Sequence, residues 1–202
     1  MNIAVFASGN GTNLQALIDA AERGELAGAR LVLVVSDNPG AFALERARKA
    51  RIKTFVLEGG KFKSREEFDK IVIEELRKEK IELVVLAGFM RILSGRFISE
   101  YENRILNIHP ALLPSFKGAR GIKDAFDYGV KVTGVTVHFV NNELDAGPII
   151  LQDCVEIDKE DTLDSLEEKI HKAEHKLYPE AVRLFSRGRL RVEGRKVIIK
   201  KE

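Results

Sequence analysis

The sequence predicts an α/β protein: a mostly parallel, twisted sheet with helices on both faces, extended by antiparallel strands in the C-terminal half. Three observations carry this. Short runs that are apolar on both faces recur at residues 2–7, 31–35 and 83–87, as strands buried inside a parallel sheet should read. Segments with helical apolar spacing alternate with them. After residue 104 the pattern changes, and two β-rich runs are joined by a loop too short for a crossover.

In order, residues 2–7 read as a buried strand, and Ser8-Gly9-Asn10-Gly11-Thr12-Asn13 as a turn. Leu14, Leu17, Ile18 and Ala21 recur at helical spacing. A second strand at 31–35 is closed by Ser36-Asp37-Asn38-Pro39-Gly40, and 41–50 and 53–57 read as helix and short strand. Ser64-Arg65-Glu66-Glu67 has the form of a capping box, opening a helix with Phe68, Ile71, Val72 and Leu76 on one face. Strands follow at 83–87 and 104–108, then a Pro-bearing loop at 110–118, a helix at 123–128 and strands at 133–140 and from 149. A long helix spans 162–186, and 190–192 with 196–199 form a terminal hairpin. The expected organisation is one domain over 1–202, with a βα half at 1–100, a second half at 101–188 and the hairpin at 189–202. There is no internal repeat.

Composition narrows the function classes. The chain has 202 residues, 32% charged and 45% hydrophobic, enough apolar content for a core and too much for a disordered chain. The net charge of +2 produces no broad basic field, so nucleic acid is not an expected partner. A single cysteine, Cys154, excludes an internal disulfide and suits a reducing compartment. No segment approaches the length of a membrane span and the N-terminus lacks a basic leader, so a cytoplasmic protein is expected. Absent Trp and abundant Lys and Glu lean towards heat adaptation.

Four places carry chemistry-bearing residues. In the turn from Gly9 to Asn13, glycines let the backbone approach a ligand, and the following helix start offers N–H groups to a phosphate. Gly9-x-Gly11, with Asp37 after the second strand, fits part of a dinucleotide fingerprint, but Leu14 replaces its third glycine. A monophosphate, a dinucleotide and a plain turn all remain open here. Asn107 and His109 lie two apart on a strand, so their side chains face one side, a donor to an oxyanion beside a proton carrier. Alone, such a histidine also reads as a structural hydrogen bonder. Asp145, in the turn 142–148, would orient and charge an imidazole or merely initiate the turn. Residues 86–93 could line a slot for a flat ring or belong to the core. On the long helix, His171, Glu174 and His175 share a face but lack a third metal ligand, so no metal is expected. His138 reads as structural.

Taken together, Ser8 to Gln15, Leu86 to Ser94, Leu106 to Pro110 with Leu112-Leu113-Pro114, Gly134 to Phe139, Glu143 to Ile150 and Ala173-Glu174-His175 resemble the folate-dependent phosphoribosylglycinamide formyltransferase family over nearly the whole chain. The resemblance implies a Rossmann-like formyltransferase fold. It also implies transfer of a formyl group from 10-formyltetrahydrofolate, as co-substrate, to phosphoribosylglycinamide in purine biosynthesis. By resemblance, Gly11, Thr12 and Asn13 hold the substrate phosphate, and His171, Lys172, Ala173 and Glu174 contact its ribose and glycinamide. Arg65, Met90, Arg91, Ile92, Leu93, Asn107, Asn141, Asn142, Glu143, Leu144 and Asp145 contact the folate. Asn107, His109 and Asp145 form the catalytic trio. Asn107 and a protonated His109 stabilise the oxyanion, Asp145 keeps His109 charged, and loss of one such donor costs roughly 3–4 kcal/mol of barrier. Partners are small molecules, with a monomer or homodimer expected.

The chain departs from the family pattern at Arg120-Gly121-Ile122, where members carry a His, and at His171, where they carry Lys or Gln. Relatives that formylate initiator methionyl-tRNA carry a further C-terminal domain, and formyltetrahydrofolate hydrolases a further N-terminal one. A non-catalytic nucleotide-binding module would keep the phosphate turn without needing the trio.

Overall fold

The computed structural model describes residues 1–201. The chain divides into two compact units, Met1–Leu106 and a second from Asn107 onward. In the first unit β1 (Asn2–Phe6), β2 (Arg30–Ser36), β3 (Lys53–Val56) and β4 (Leu83–Leu86) form a parallel sheet in the order β3-β2-β1-β4. Ile3, Ala4, Val5, Phe6 and all four residues of β4 are buried. That is why these central strands read as unbroken apolar runs. β3 is the edge, only half buried. It carries Lys53, whose ammonium pairs with Glu75 at 2.6 Å and Glu79 at 2.7 Å, a charge on an edge where further strand pairing would be harmful.

The helices follow their apolar stripes. Helix α1 (Thr12–Glu22) buries Leu14, Leu17 and Ile18, and α2 (Phe42–Lys49) buries Ala43, Leu44 and Ala47. Helix α3 (Arg65–Lys78) buries Phe68, Val72 and Leu76, each such burial being worth roughly 1.5–3 kcal/mol. Ser64 caps α3 by accepting from Glu67 N, as its sequence predicts, but Glu67 returns the bond to Lys63 N instead of Ser64 N. The short helix α4 (Gly95–Glu100), capped by Ser94, was not expected, because six residues are too few to show a period. The 3-10 turn at Gly59–Lys61 is likewise too short to show a period.

β5 (Ile105–His109) carries the chain out of the first unit. In the second unit α5 (Gly121–Tyr128) precedes β6 (Val132–Phe139) and β7 (Ile149–Glu156), which pair antiparallel as expected. Gly134 is required in β6, since a Cβ there would lie 2.0 Å from Asp153 O across the ladder. Helix α6 (Leu163–Ser186) packs on β6 and β7. It runs through Pro179, which is buried with its neighbour Tyr178; the surrounding packing outweighs the missing N–H. β8 (Leu190–Glu193) and β9 (Lys196–Ile199) form the expected hairpin, and β9 meets β7 in parallel at Ile149 and Lys196. The architecture is α/β, mostly parallel in the first unit with antiparallel additions in the second.

Thr162 caps α6 with a reciprocal box. Its hydroxyl accepts from Ser165 N at 3.2 Å, and Ser165 Oγ accepts from Thr162 N at 3.0 Å. Thr162→Ala therefore removes one orphan-donor partner and should cost about 1 kcal/mol. A urea midpoint unchanged from the parent protein would show that the cap contributes nothing.

Candidate active site

The second unit gathers the polar residues into one buried cluster. Asn107 and His109 leave β5 on the same side, as strand geometry requires. Asp145 sits in the turn between β6 and β7 with φ +47°, a left-handed conformation that Asp tolerates better than most residues. The turn folds back tightly: Phe139 N donates to Pro148 O at 2.9 Å. A Cβ on Gly147 would stand 1.7 Å from Phe139 O, so only glycine permits this approach.

The carboxylate of Asp145 is only 8% exposed, with the side chains of His109 and His138 at 4% and 3%. Asp145 Oδ2 accepts from Gly118 N at 2.8 Å and lies 3.5 Å from His109 Nδ1. Its Oδ1 lies 3.7 Å from His138 Nε2. Burial works against the charged form of Asp145, but hydrogen bonding to His138 and to the Gly118 N–H outweighs it, holding the carboxyl below its ordinary range. Asp145 is thus an anion at neutral pH.

His109 goes the other way. Burial lowers its pKa, and the opposing charge of Asp145 and the bond to Phe116 O do not make up the difference. The reading that Asp145 keeps His109 charged therefore needs correcting. In the resting protein desolvation wins, and His109 is neutral at neutral pH. Its tautomer follows from its neighbours. Nε2 lies 2.8 Å from Phe116 O, which can only accept, so the proton is on Nε2.

His138 was read as structural, and the structure places it in the cluster. Its Nδ1 lies 2.8 Å from Phe139 O, and its Nε2 faces both Asn107 Nδ2 at 3.2 Å and Asp145 Oδ1 at 3.7 Å. His138 thus stands between Asn107 and Asp145. The signal was present, since His138 sits on a strand that leads directly into the Asp145 turn, but no local pattern distinguishes it from a core histidine.

Elsewhere in this unit, His171 Nδ1 bonds Glu174 Oε2 at 2.9 Å, and the His171 and His175 rings stack at 6.2 Å. Glu174 is buried, and its bond raises the His171 pKa. Lys172 is exposed on α6, with Ala173 beside it half buried. No group of three or more metal-binding side chains occurs among the described residues. In the loop, Glu143 N donates to Asn141 Oδ1 at 3.1 Å, while Asn142 and Leu144 are exposed.

The first unit holds the turn and the 88–94 segment. Gly11 is the N-cap of α1 with φ +74°, and no capping side chain or first-turn acid occupies that helix start. Its N–H groups are thus presented as an anion site. A Cβ on Gly11 would lie 2.7 Å from Ala43 Cβ, so glycine is needed for packing as well as for backbone angle. Arg46 clasps the turn, donating to Asn10 O at 2.9 Å, Asn10 Oδ1 at 2.8 Å and Gln15 Oε1 at 3.2 Å. Asp37, which fits the ribose position of a dinucleotide fingerprint, is turned to Ser8 Oγ at 2.6 Å. After β4, Met90 and Ile92 are 69% and 60% exposed, whereas Leu93 is buried. Arg91 lies over the Phe68 ring at 4.3 Å, and its buried Nε has no hydrogen-bond partner among the described residues. Met90 and Ile92 thus form an exposed apolar ledge after β4. Arg65 stands exposed at the start of α3.

Comparison with known proteins agrees. The Formyl transferase family model matches residues 1–182. The phosphoribosylglycinamide formyltransferase of Escherichia coli (strain K12) is 45% identical over 192 residues, covering 95% of this chain and 90% of that protein. The Bacillus subtilis enzyme of the same name is 43% identical, covering 89% and 92%. The trifunctional purine biosynthetic protein adenosine-3 of Gallus gallus is 47% identical over 95% of this chain, which spans only 19% of its length. The crystal structure of glycinamide ribonucleotide transformylase 1 from Symbiobacterium toebii superposes with a TM-score of 0.97 at 45% identity, covering 100% of this chain and 94% of that one. The chain belongs to the formyl transferase family, and within it stands with the phosphoribosylglycinamide formyltransferases.

Proposed function

We propose that the chain transfers the formyl group of 10-formyltetrahydrofolate to the amine of 5′-phosphoribosylglycinamide, giving formylglycinamide ribonucleotide and tetrahydrofolate in de novo purine biosynthesis. The observation that carries this reading is the buried cluster of Asn107, His109, His138 and Asp145, in which two N–H donors stand beside a desolvated anion. The glycine turn of the first unit supports a phosphate on one substrate, and the ledge at Met90 to Leu93 supports a ring on the other. Glu174 and His171 are the contacts assigned to the ribose and glycinamide. No helix among the described residues is long and apolar enough to span a membrane, and the unpaired Cys154 suits a reducing cytoplasm.

In this mechanism the amine nitrogen bonds to the formyl carbon, and negative charge gathers on the formyl oxygen. Asn107 Nδ2 and His109 Nε2 donate to that oxygen. His109 exchanges the neutral Phe116 carbonyl for a stronger acceptor, and hydrogen bonds to charged acceptors are roughly twice as strong. As the oxyanion forms, the His109 ring takes a proton from solvent on Nδ1, where the Asp145 carboxylate stabilises the imidazolium, and returns it to solvent when the intermediate collapses. The bond from the formyl carbon to the folate nitrogen then breaks. The proton shed by the attacking amine passes through water to that nitrogen, so atoms and charge balance.

Asp145→Asn should lower kcat by about 10²–10³, comparable to losing one oxyanion donor elsewhere, while the Kd for phosphoribosylglycinamide stays near its parent value. The assay follows folate absorbance with and without the amine. Deformylation that does not depend on the amine in the parent protein would remove the proposed reaction.

The protonation argument has its own check. An NMR titration of His109, assigned by comparison with His109→Gln, should show a midpoint below about 6.5, the unperturbed value. In Asp145→Asn it should fall further, because the charge that opposes desolvation is gone. A midpoint above the unperturbed value would show that the resting imidazole is charged after all.

A further inference from the structure

The ledge has little of its own to hold its shape. None of the main-chain groups of Arg91, Ile92 or Leu93 makes a hydrogen bond among the described residues. Such a segment keeps one conformation only through its ends and its side chains. At the leading end Ser8 Oγ accepts from Met90 N at 3.0 Å. The trailing end is Ser94, and it is held by a group that no step of the mechanism uses, the buried carboxylate of Asp69 on α3.

Asp69 Oδ2 accepts from Ser94 N at 2.6 Å. Ser94 Oγ accepts in turn from Phe97 N at 3.2 Å, which leaves its hydroxyl proton for the same carboxylate. Phe97 is buried, edge-on to Phe6 at 5.9 Å and stacked on Tyr101 at 5.5 Å, so Ser94 ties the end of the ledge to α3 and, through α4, to the core. The neighbour of Asp69 grips the ledge as well. The Phe68 ring lies under the Arg91 guanidinium at 4.3 Å, and a Cβ on Gly59 would run into that guanidinium. A carboxylate is a costly choice for this place. Burial raises the pKa of Asp69, and the bonds from Ser94 and the charge of Arg91 do not make up the difference. An apolar side chain of the same size would fill the site without that desolvation. What the carboxylate adds is a strong acceptor aimed at the N–H that ends the ledge.

We propose that Asp69 is a positioning residue for the folate: from α3 it fixes Ser94, and through Ser94 the conformation of Met90 to Leu93, without touching either substrate. The inference rests on the function proposed above and deepens its folate side. It requires that loss of the acceptor weaken the folate and leave the other substrate alone, which a general contribution to stability would not do.

The test compares two affinities by calorimetry. One is the Kd of a formyl-folate analogue with carbon in place of the transferring nitrogen, and the other is the Kd of phosphoribosylglycinamide. Asp69→Leu keeps the branching and bulk of the side chain while deleting the acceptor, and thermal unfolding checks that it is folded at the assay temperature. It should bind the analogue about tenfold more weakly, the scale of one lost hydrogen bond to a charged group, and phosphoribosylglycinamide within about twofold of the parent protein. Asp69→Asn keeps an acceptor for Ser94 N and should stay within about threefold of the parent for both. Where Asp69→Leu does not fold, Asp69→Ala, which only removes atoms, takes its place with the same expectation. An unchanged analogue Kd in the folded variant overturns the inference. So does an equal loss for both ligands, or an Asp69→Asn variant as weak as Asp69→Leu. Failure of the analogue to bind the parent protein at all overturns the folate reading itself, and this inference with it.

Discussion

The second unit is organised by one buried carboxylate. A lone charge withdrawn from water costs several kcal/mol even after the protein relaxes around it, so Asp145 must be answered by partners from every side. The answer comes from Gly118 by its N–H and from His138 on β6, brought together by the sharp turn, with His109 alongside from the end of β5. Each of those demands has a sequence consequence. The turn needs Gly147, since any side chain would collide with Phe139 O. The 110–121 loop must bring Gly118 inward, and Gly121 allows it, because a Cβ there would sit 3.2 Å from His109 Nε2. The glycines and the acid therefore form one structural unit with the histidines.

In the first unit the corresponding constraint is the positive φ of Gly11. With Ala43 closing the space behind it, α1 can start at Thr12 with an uncapped N-terminus. An uncapped helix start is normally a small defect. Here Arg46 holds Asn10 and Gln15 in place, so the turn stays ordered without a capping side chain competing for the N–H groups. Arg46 also leaves positive charge beside them, which favours an anion through the same field as the helix dipole.

How much of this was legible in the sequence depends on range. Periodicity shows what repeats locally: the buried strands at 2–7 and 83–87, the stripe on α3 and the pairing of Asn107 with His109 across one residue. The dinucleotide alternative stood open because Asp37 follows β2 at the right place, and only the bond to Ser8 shows where that carboxylate is turned. His138 is not legible in the sequence because its partners, Asn107 and Asp145, lie on other elements and nothing adjacent marks it. The direction of the His109 pKa was misjudged because a sequence reveals a neighbouring charge more readily than it reveals burial.

That misjudgement bears on how the site works. An imidazole already charged would have settled against Asp145 before substrate arrived, and its donor strength would be spent on a permanent ion pair. Desolvation keeps His109 neutral instead, with Nε2 resting on the weakly accepting Phe116 carbonyl and Nδ1 still 3.5 Å from Asp145. Charge appearing on a substrate oxygen then does two things at once. It outcompetes Phe116 for the Nε2 proton, and it raises the proton affinity of a ring whose other nitrogen already faces a carboxylate. Both gains exist only when the oxyanion does, so the interaction favours the transition state over the bound substrates. Burial, which makes Asp145 expensive to hold, is also what withholds the charge on His109 until the reaction calls for it.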